Sequence, residues 1–252
     1  MPRSALLLAF ATTLLAQTAI ENSGKPMRFP FDCTEADTQA AGLTCSEEEP
    51  CPVFLELASV EAIGNKIFIT GNLHSASSTL YSVLLESDDS GKSWIEPHPR
   101  IRSAGLEQIQ FIDFQNGWIS GANLQSTPRD PFLMLTTDGG KTWHQRPIFD
   151  ESRVAVIERF WFDSKENGSL LIDARLDANR HELYESMTGG ESWSLKQASA
   201  AAIKFPHNRE SGTTGWRMRA DAATKSYDLE RSDGARWQKV ASFLVHIGTC
   251  KQ

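Results

Sequence analysis

The side chains best suited to hold a charged ligand are five arginines in an acidic chain of net charge −7. Arginine offers a planar fork of donors that can bind a carboxylate or phosphate through two hydrogen bonds. The candidates lie in one linker, one loop and one strand: Arg100, Arg102, Arg175, Arg217 and Arg219. Arg217 and Arg219 alternate along a predicted strand, so both point to one face. That face either lines a binding channel or pairs with carboxylates such as Asp221 or Glu230.

Catalytic and metal-binding spacings do not stand out in the sequence. No stretch matches a Ser-His-Asp arrangement, a phosphate-binding loop, or a metal-ligand pair of the CxxC or HxxxH type. The histidines stand singly, and a lone histidine is usually a solvated surface residue. We therefore expect no catalytic residue, no metal and no cofactor.

Tryptophans mark a repeated turn, hereafter the Asp-box. The pattern S/T-x-D-x-G-x-S/T-W fits residues 87–94 and 136–143 at every fixed position. Residues 186–193 are a third copy with Thr188 in place of the aspartate, and residues 232–237 are a shortened fourth copy. The four tryptophans are 49, 50 and 44 residues apart, a period typical of propeller blades.

Each Asp-box is expected to form a hairpin turn. Asp, Ser and Thr side chains hold such turns, glycine accepts positive φ, and the tryptophan covers the edge of the blade. We predict a structural role for Ser87, Asp89, Gly91, Trp94, Thr136, Asp138, Gly140, Trp143, Ser186, Gly190, Trp193, Asp233 and Trp237.

A second repeated signal lies upstream of each Asp-box. Glycine-containing turns followed by strand patterns occupy residues 64–71, 116–121, 167–172 and 214–219. Apolar runs precede them at residues 54–60, 109–114, 159–162 and 201–205. One period therefore holds four strands joined by tight turns and one variable loop. The sequence predicts an all-β fold, a β-propeller of about four four-stranded antiparallel blades.

These motifs resemble two Asp-box (BNR-repeat) families, the photosystem II stability/assembly-factor-like propellers and, more distantly, the sialidases. The first family pairs a D-x-x-x-G-W-x-x-G strand with a TTDGGKTW-type turn, and residues 113–121 precede residues 136–143 in that order. The likeness covers the second blade best. It implies an extracytoplasmic, non-enzymatic propeller that helps or holds other proteins, with its Asp-boxes on the rim.

The sialidase resemblance stops short of the chemistry. Those enzymes need three clustered arginines, a tyrosine nucleophile activated by a glutamate, and an acid/base aspartate. Tyr81, Tyr184 and Tyr227 each lie in the strand leading into an Asp-box, which we expect to be remote from the central channel. Residues 27–30 match the N-terminal F/Y-R-I-P signature of sialidases only in part, because the leading aromatic residue is missing. Four blades are also fewer than the six of sialidases. We predict that the protein is not an enzyme.

The N-terminus is typical of an export signal. Arg3 precedes an apolar run at residues 5–15, and Ala16 and Ala19 offer cleavage points, with an uncleaved anchor as the alternative. We predict a signal peptide at residues 1–19, a cysteine-containing lead at 20–51, a propeller at 52–252, and a secreted or periplasmic, soluble product. Its acidic charge argues against nucleic acid and anionic lipid as partners.

Four cysteines behind an export signal predict two disulfides. A propeller must join its last blade to its first. Cys51 precedes the first strand and Cys250 follows the last strand-like run, so these two are expected to meet. That leaves Cys33 and Cys45 to pair locally.

Two functions fit this sequence. The leading one is a protein-interaction or assembly scaffold with another envelope or extracellular protein as partner, and the alternative is a glycan-binding or degenerate sialidase-like module. The variable loops at residues 123–130 and 175–181 and the linker at 96–105 are the expected binding segments. Aromatic side chains around the channel would favour a sugar, whereas a broad surface without a cleft would favour a protein.

Overall fold

The computed structural model of the protein describes residues 19–207 and 215–251. Most of the predicted signal peptide, residues 1–18, lies outside this range. Within it, the predicted β-propeller is confirmed: four sheets of three or four strands follow one another along the chain. None of the helices described is both long and apolar enough to cross a membrane.

The N-terminal lead contains little regular structure. Its elements are β1 (Ile20–Glu21) and α1 (Glu35–Ala41). Blade one follows with β2 (Cys51–Ile63), β3 (Lys66–His74), β4 (Thr79–Ser87) and the short β5 (Ser93–Trp94). Strand β5 pairs with β1, so the lead completes the outer edge of this blade.

Blades two and three follow the predicted plan of four consecutive antiparallel strands. Blade two consists of β6 (Ala104–Phe111), β7 (Gly117–Asn123), β8 (Arg129–Thr136) and β9 (His144–Pro147). Blade three consists of β10 (Val156–Phe162), β11 (Gly168–Asp173), β12 (His181–Ser186) and β13 (Ser194–Ser199), with α2 (Arg175–Ala178) between its two middle strands.

Blade four differs from the prediction. It has three strands among the described residues, β14 (Trp216–Asp221), β15 (Ser226–Ser232) and β16 (Trp237–Leu244). The apolar run at 201–205, predicted as its inner strand, forms no strand. Its apolar residues Ile203 and Phe205 are instead buried against Leu171 and Leu183 of blade three.

The ring closes between the chain's last strand and its first long strand. Strand β17 (His246–Cys250) pairs with β2 in antiparallel register, and Cys250 lies opposite Cys51. The two ends therefore meet as predicted. Strand β17 lies beside β2 and completes a four-stranded sheet with β2, β3 and β4.

The predicted disulfide pairing is wrong, although all four cysteines are bonded. The bonds are Cys33–Cys250 and Cys45–Cys51. The reason is the path of the lead, which runs beside β17: a Cβ atom on Gly248 would lie 3.0 Å from the backbone oxygen of Phe31. Cys33 follows two residues later, which brings its sulfur beside that of Cys250.

The first part of the lead, residues 20–33, is a strap that seals the junction of blades four and one. The backbone N–H of Met27 donates to the carbonyl of Ser242 at 2.8 Å, and Leu244 N–H donates to Met27 at 2.8 Å. The side-chain amide of Asn22 donates to the carbonyls of Gly91 and Val240, both at 2.8 Å. The strap thus bonds to both blades at once.

The rings of the first two Asp-boxes pack between blades, whereas Trp193 packs on Phe162 of its own blade and Trp237 is exposed. Trp94 meets Phe243 of blade four with centroids 5.1 Å apart, and Trp143 meets Phe68 of blade one at 6.2 Å. Gly140 has a φ of 85°, and a Cβ atom there would come within 2.5 Å of the Phe68 ring. Glycine is therefore required by the neighbouring blade as well as by the turn.

Candidate functional site

A cavity of about 390 Å³, hereafter the axial cavity, lies where the four blades meet. Strands β2, β6 and β10 contribute one wall each, and blade four contributes the last. Among its lining residues are Leu57, Gln108, Arg159, Trp161, Trp216 and Tyr227.

Each of the three inner strands carries a β-bulge at the same height. The register shifts after Leu57 in β2, after Leu106 in β6 and after Ile157 in β10. A bulge re-aims the side chains beside it and is common at the rims of barrels and near binding sites. The repetition places the residues after each bulge in the wall of the axial cavity.

Two glutamines of β6, of which Gln108 lines the cavity, join blade two to blade three. The side-chain amide of Gln108 donates to the carbonyl of Phe160 at 2.8 Å and accepts from its N–H at 3.1 Å. Gln110 makes the same pair of bonds with Phe162, at 2.8 and 2.9 Å. The indole N–H of Trp161 donates to Asp163 at 3.0 Å. These groups already have protein partners, and the wall is mixed in character, because Ser59, Glu61, Arg159 and His207 line the cavity together with its aromatic and aliphatic side chains.

Blade four presents its apolar face to the axial cavity. Trp216, Met218 and Ala220 alternate along β14 and line the cavity. Because side chains alternate across a strand, Arg217 and Arg219 point to the opposite face.

Those two arginines pair with carboxylates on β15. Arg217 donates to Glu230 at 2.7 Å and stacks over the ring of Trp237 at 4.2 Å. Arg219 lies 3.2 Å from Glu230 and 3.1 Å from the fully buried carboxylate of Asp228. The sequence left two arrangements open for these arginines, lining a binding channel or pairing with carboxylates. The structure shows the second.

Arg100 and Arg102 bind the N-terminal lead. Arg100 pairs with Glu96, its Nε donating at 2.7 Å, and also donates to the carbonyl of Pro30 at 3.0 Å. Arg102 donates to Asp37 at 3.1 Å, and Tyr81 donates its hydroxyl proton to that same carboxylate. Burial opposes ionisation of Asp37, but the bond from Tyr81 and further bonds outweigh it and lower its pKa.

Arg175 lies far along the chain from these pairs, at the start of α2. It donates to Asp173 at 2.9 and 2.6 Å and remains exposed. The five predicted arginines therefore occupy three separate places, and none of them lines the axial cavity.

The three tyrosines do not share one environment. Tyr184 donates to the buried Glu182 at 2.8 Å, and Tyr81 bonds to Asp37 of the lead. Tyr227, however, lines the axial cavity, so its predicted place away from the channel is wrong. The reason is that the described part of blade four has no inner strand between β14 and the axis. Burial, followed by the negative charge of Glu56, raises the pKa of Tyr227.

The Asp-box side chains make hydrogen bonds within their own turns. Asp89 accepts from the backbone N–H groups of Lys92 and Ser93 at 2.9 and 3.0 Å and from the Ser93 hydroxyl at 2.7 Å. Burial opposes ionisation, but these bonds lower the pKa of Asp89 to about 2. In the third copy, the Thr188 hydroxyl accepts from Ser192 N–H at 2.9 Å, so threonine replaces one of these bonds.

Sequence reasoning missed Trp161, Trp216 and Met218 as cavity residues. The only available signal was alternation: once Arg217 and Arg219 share a face, Trp216 and Met218 share the other. Which face meets the axis depends on long-range packing.

Comparison with known proteins gives similarity in fold. No family model matches the chain, and no curated protein matches it. Solved structures do match. A structure described as "YCF48 bound to D1 peptide" has a TM-score of 0.43 and 16% identity, over 75% of this chain and 54% of that one. An α-L-arabinanase from Penicillium chrysogenum has a TM-score of 0.40 and 13% identity, over 88% and 66%. A family 117 glycoside hydrolase from Zobellia galactanivorans has a TM-score of 0.40 and 11% identity, over 87% of this chain and 75% of that one.

These similarities concern the β-propeller fold alone. The chain spans only about half the length of the YCF48 chain it matches.

Proposed function

We propose that the protein is a non-enzymatic binding propeller that holds a segment of another envelope or extracellular protein in its axial cavity. The observation that carries this proposal is the composition of the wall, where Trp161, Trp216, Met218 and Tyr227 surround the cavity and the exposed Arg159 stands at its edge. Tryptophan, tyrosine, methionine and arginine are the residue types enriched in protein interfaces.

The hydrogen bonding of the wall supports a protein ligand further. A sugar offers many hydroxyls, each of which needs a partner once it leaves water. Gln108 and Trp161 already use their polar groups within the protein. An apolar or aromatic side chain can pack against Trp216, Met218 and Tyr227 on the blade-four side of the cavity without leaving hydroxyls unpaired.

The two disulfides support the proposed location. Disulfides persist in the periplasm and outside the cell and are rare in the cytosol. Both Cys33–Cys250 and Cys45–Cys51 are formed. We therefore place the proposed partner in the same oxidising compartment.

Carbohydrate binding is the second candidate, because aromatic rings do surround the channel. Trp161, Trp216 and Tyr227 are each partly exposed. A sugar would lie against these rings and exchange hydroxyl bonds with water at the open side of the cavity.

Site-specific photo-crosslinking in the native host distinguishes these functions. A photoreactive residue at Arg159, at the cavity edge, is expected to capture a protein, and one at Lys196, exposed on the outer strand of blade three, is expected not to. Met218→Asp, which adds a charge to the cavity wall, should abolish capture at position 159 while the protein still melts cooperatively. Equal capture at both positions, or capture that survives Met218→Asp, would contradict the proposal. Calorimetric titration with oligosaccharides tests the second candidate directly.

A further inference from the structure

Blade four supplies one side of the axial cavity. Trp216, Met218 and Ala220 reach it from β14, and Tyr227 reaches it from β15, directly opposite Ala220 in the strand register. We call these four residues the blade-four wall. The charged or ionisable groups that line the rest of the cavity come from β2, β10 and the chain segment that precedes blade four. The side chains of the blade-four wall are therefore apolar except for one indole nitrogen and one phenol oxygen.

Both polar atoms of the blade-four wall are hydrogen-bond donors that the fold does not use. Within the described chain, neither the indole nitrogen of Trp216 nor the hydroxyl of Tyr227 makes a hydrogen bond, and neither atom is sealed from solvent. The other two tyrosines differ, because Tyr81 and Tyr184 donate their hydroxyl protons to carboxylates. The two donors of the wall are thus accessible to a ligand.

The rings of this wall are positioned before a ligand arrives. Arg231 lies opposite Trp216 in the register, and its guanidinium carbon is 5.7 Å from the centroid of the indole ring. A cation over an aromatic face is attracted to the ring and favours that orientation. Trp216, Met218 and Tyr227 also pack against the apolar core that joins blade one and blade four. A ligand therefore meets preformed ring surfaces, which lowers the ordering cost of binding.

A proline-rich chain matches this pattern of donors and apolar surface. An ordinary extended peptide brings backbone N–H groups that need acceptors once they leave water. The side chains of the blade-four wall supply two donors and, besides the phenol oxygen, no acceptor. Proline has no backbone N–H and presents an apolar ring together with a carbonyl acceptor. Proline-rich segments adopt the polyproline II helix, which makes no internal hydrogen bonds and docks in the aromatic-lined grooves of other binding domains.

We propose that the segment held in the axial cavity is proline-rich and lies on the blade-four wall as a polyproline II helix. Its proline rings pack against Trp216, Met218 and Tyr227. Two of its carbonyls accept hydrogen bonds from the Trp216 indole and the Tyr227 hydroxyl. The inference rests on the proposed function, because it names the chemistry of the partner segment in the same cavity.

The length of the wall fits a short run of prolines. A strand rises about 3.3 Å per residue, so Trp216 and Ala220 are about 13 Å apart along β14. A polyproline II helix rises about 3.1 Å per residue, and about four of its residues therefore span the wall. A probe of six prolines covers the wall with one residue to spare at each end.

The test uses two peptide probes and the indole N–H resonances of the isotope-labelled protein. Acetyl-hexaproline amide should shift the Trp216 indole N–H resonance and should bind in calorimetric titration. An acetylated, amidated peptide of three Ala-Gly repeats has the same length but keeps its backbone N–H groups, and it should bind more weakly. Tyr227→Phe removes one donor and should weaken hexaproline binding about two- to tenfold, the share of affinity that one neutral hydrogen bond contributes. Trp216→Phe removes the other donor and should weaken binding at least as much.

Trp237→Phe is the matched control. Trp237 lies in the same blade, is 36% exposed and also has an arginine over its ring, since Arg217 is 4.2 Å from the centroid. It pairs with Ser232, the neighbour of the Arg231 that faces Trp216, so alternation places it on the opposite face of the sheet. Hexaproline should leave the Trp237 resonance unshifted and should bind the Trp237→Phe variant as tightly as the wild type.

Several results would overturn the inference. Hexaproline does not bind, or the Ala-Gly probe binds equally tightly, or Trp237→Phe weakens binding as much as Trp216→Phe does. A cello-oligosaccharide that shifts the Trp216 resonance while hexaproline does not would overturn it in favour of a carbohydrate. Tyr227→Phe decides the matter if Trp216→Phe does not melt cooperatively, and unchanged hexaproline binding by a folded Tyr227→Phe variant refutes the proposed hydrogen bond.

The outcomes separate the two proposals. If hexaproline binds at the blade-four wall but crosslinking at position 159 captures no protein, the preference of the wall for proline stands and the proposed partner does not. If a protein is captured and hexaproline does not compete with it, the partner stands and its proline-rich chemistry is refuted.

Discussion

The two disulfides should differ strongly in what they contribute to stability. Cys33–Cys250 closes a loop over a sequence separation of 217, whereas Cys45–Cys51 spans only 6. In the chain-entropy treatment, the stabilisation grows with the logarithm of loop length, which gives about 5 kcal/mol for the first bond and about 2 kcal/mol for the second. The first bond also ties the strap to β17, the strand that closes the ring.

The test compares two double variants, so that no free thiol remains. Cys33→Ala/Cys250→Ala and Cys45→Ala/Cys51→Ala are unfolded in guanidinium chloride and followed by tryptophan fluorescence. The first variant should lose about 3 kcal/mol more of the free energy of unfolding than the second. Equal losses, or a larger loss in the second variant, would refute the argument that the strap bond closes the ring. Non-reducing peptide mapping of the wild type checks the pairing itself.

Three further results are expected. Trp143→Ala should lower the free energy of unfolding by about 3–5 kcal/mol, because the ring is buried between blades. Asp138→Ala should lower it less, because each of its turn bonds to Thr136 and Thr142 is worth roughly 0.5–1.5 kcal/mol. Melting curves with the opposite order would contradict this. Burial opposes ionisation of Glu182, but bonds from Arg153, Tyr184 and Arg180 lower its pKa from 4.5 to about 2. Its ionised form therefore stabilises the fold above about pH 4.5. The difference in unfolding free energy between wild type and Glu182→Gln should shrink as pH falls from 5 to 2. Purified protein should release no fluorophore from a sialic-acid substrate, and robust release would show that the non-enzymatic proposal is wrong.

The blades could be predicted from the sequence because their signals are local. An Asp-box turn is held by side chains within a few residues of one another, as in the bonds from Ser93 to Asp89. A glycine turn and an alternating strand are equally short-range patterns. Four copies at nearly constant spacing then imply a ring, because each blade must bury its faces against its neighbours.

The pairing of the cysteines could not be predicted in the same way. Position along the chain correctly brings Cys250 opposite Cys51. Which sulfur reaches Cys250 depends on the irregular strap, whose path is set by bonds such as that from Asn22 to Gly91. An irregular segment carries no periodic signal, so its course is decided by contacts far away in the sequence.

The candidate site was hidden for a related reason. The arginines of β14 attract attention in an acidic chain, but the axial cavity receives Trp216 and Met218 from the other face of the same strand. The choice of face follows from the run at 201–205, which packs on blade three instead of forming an inner strand for blade four. With that run absent from its sheet, β14 and Tyr227 reach the axis. The same departure from the repeat therefore brings Trp216, Met218 and Tyr227 into the cavity wall beside Trp161 of blade three, and we expect recognition in this protein to depend on its least regular blade.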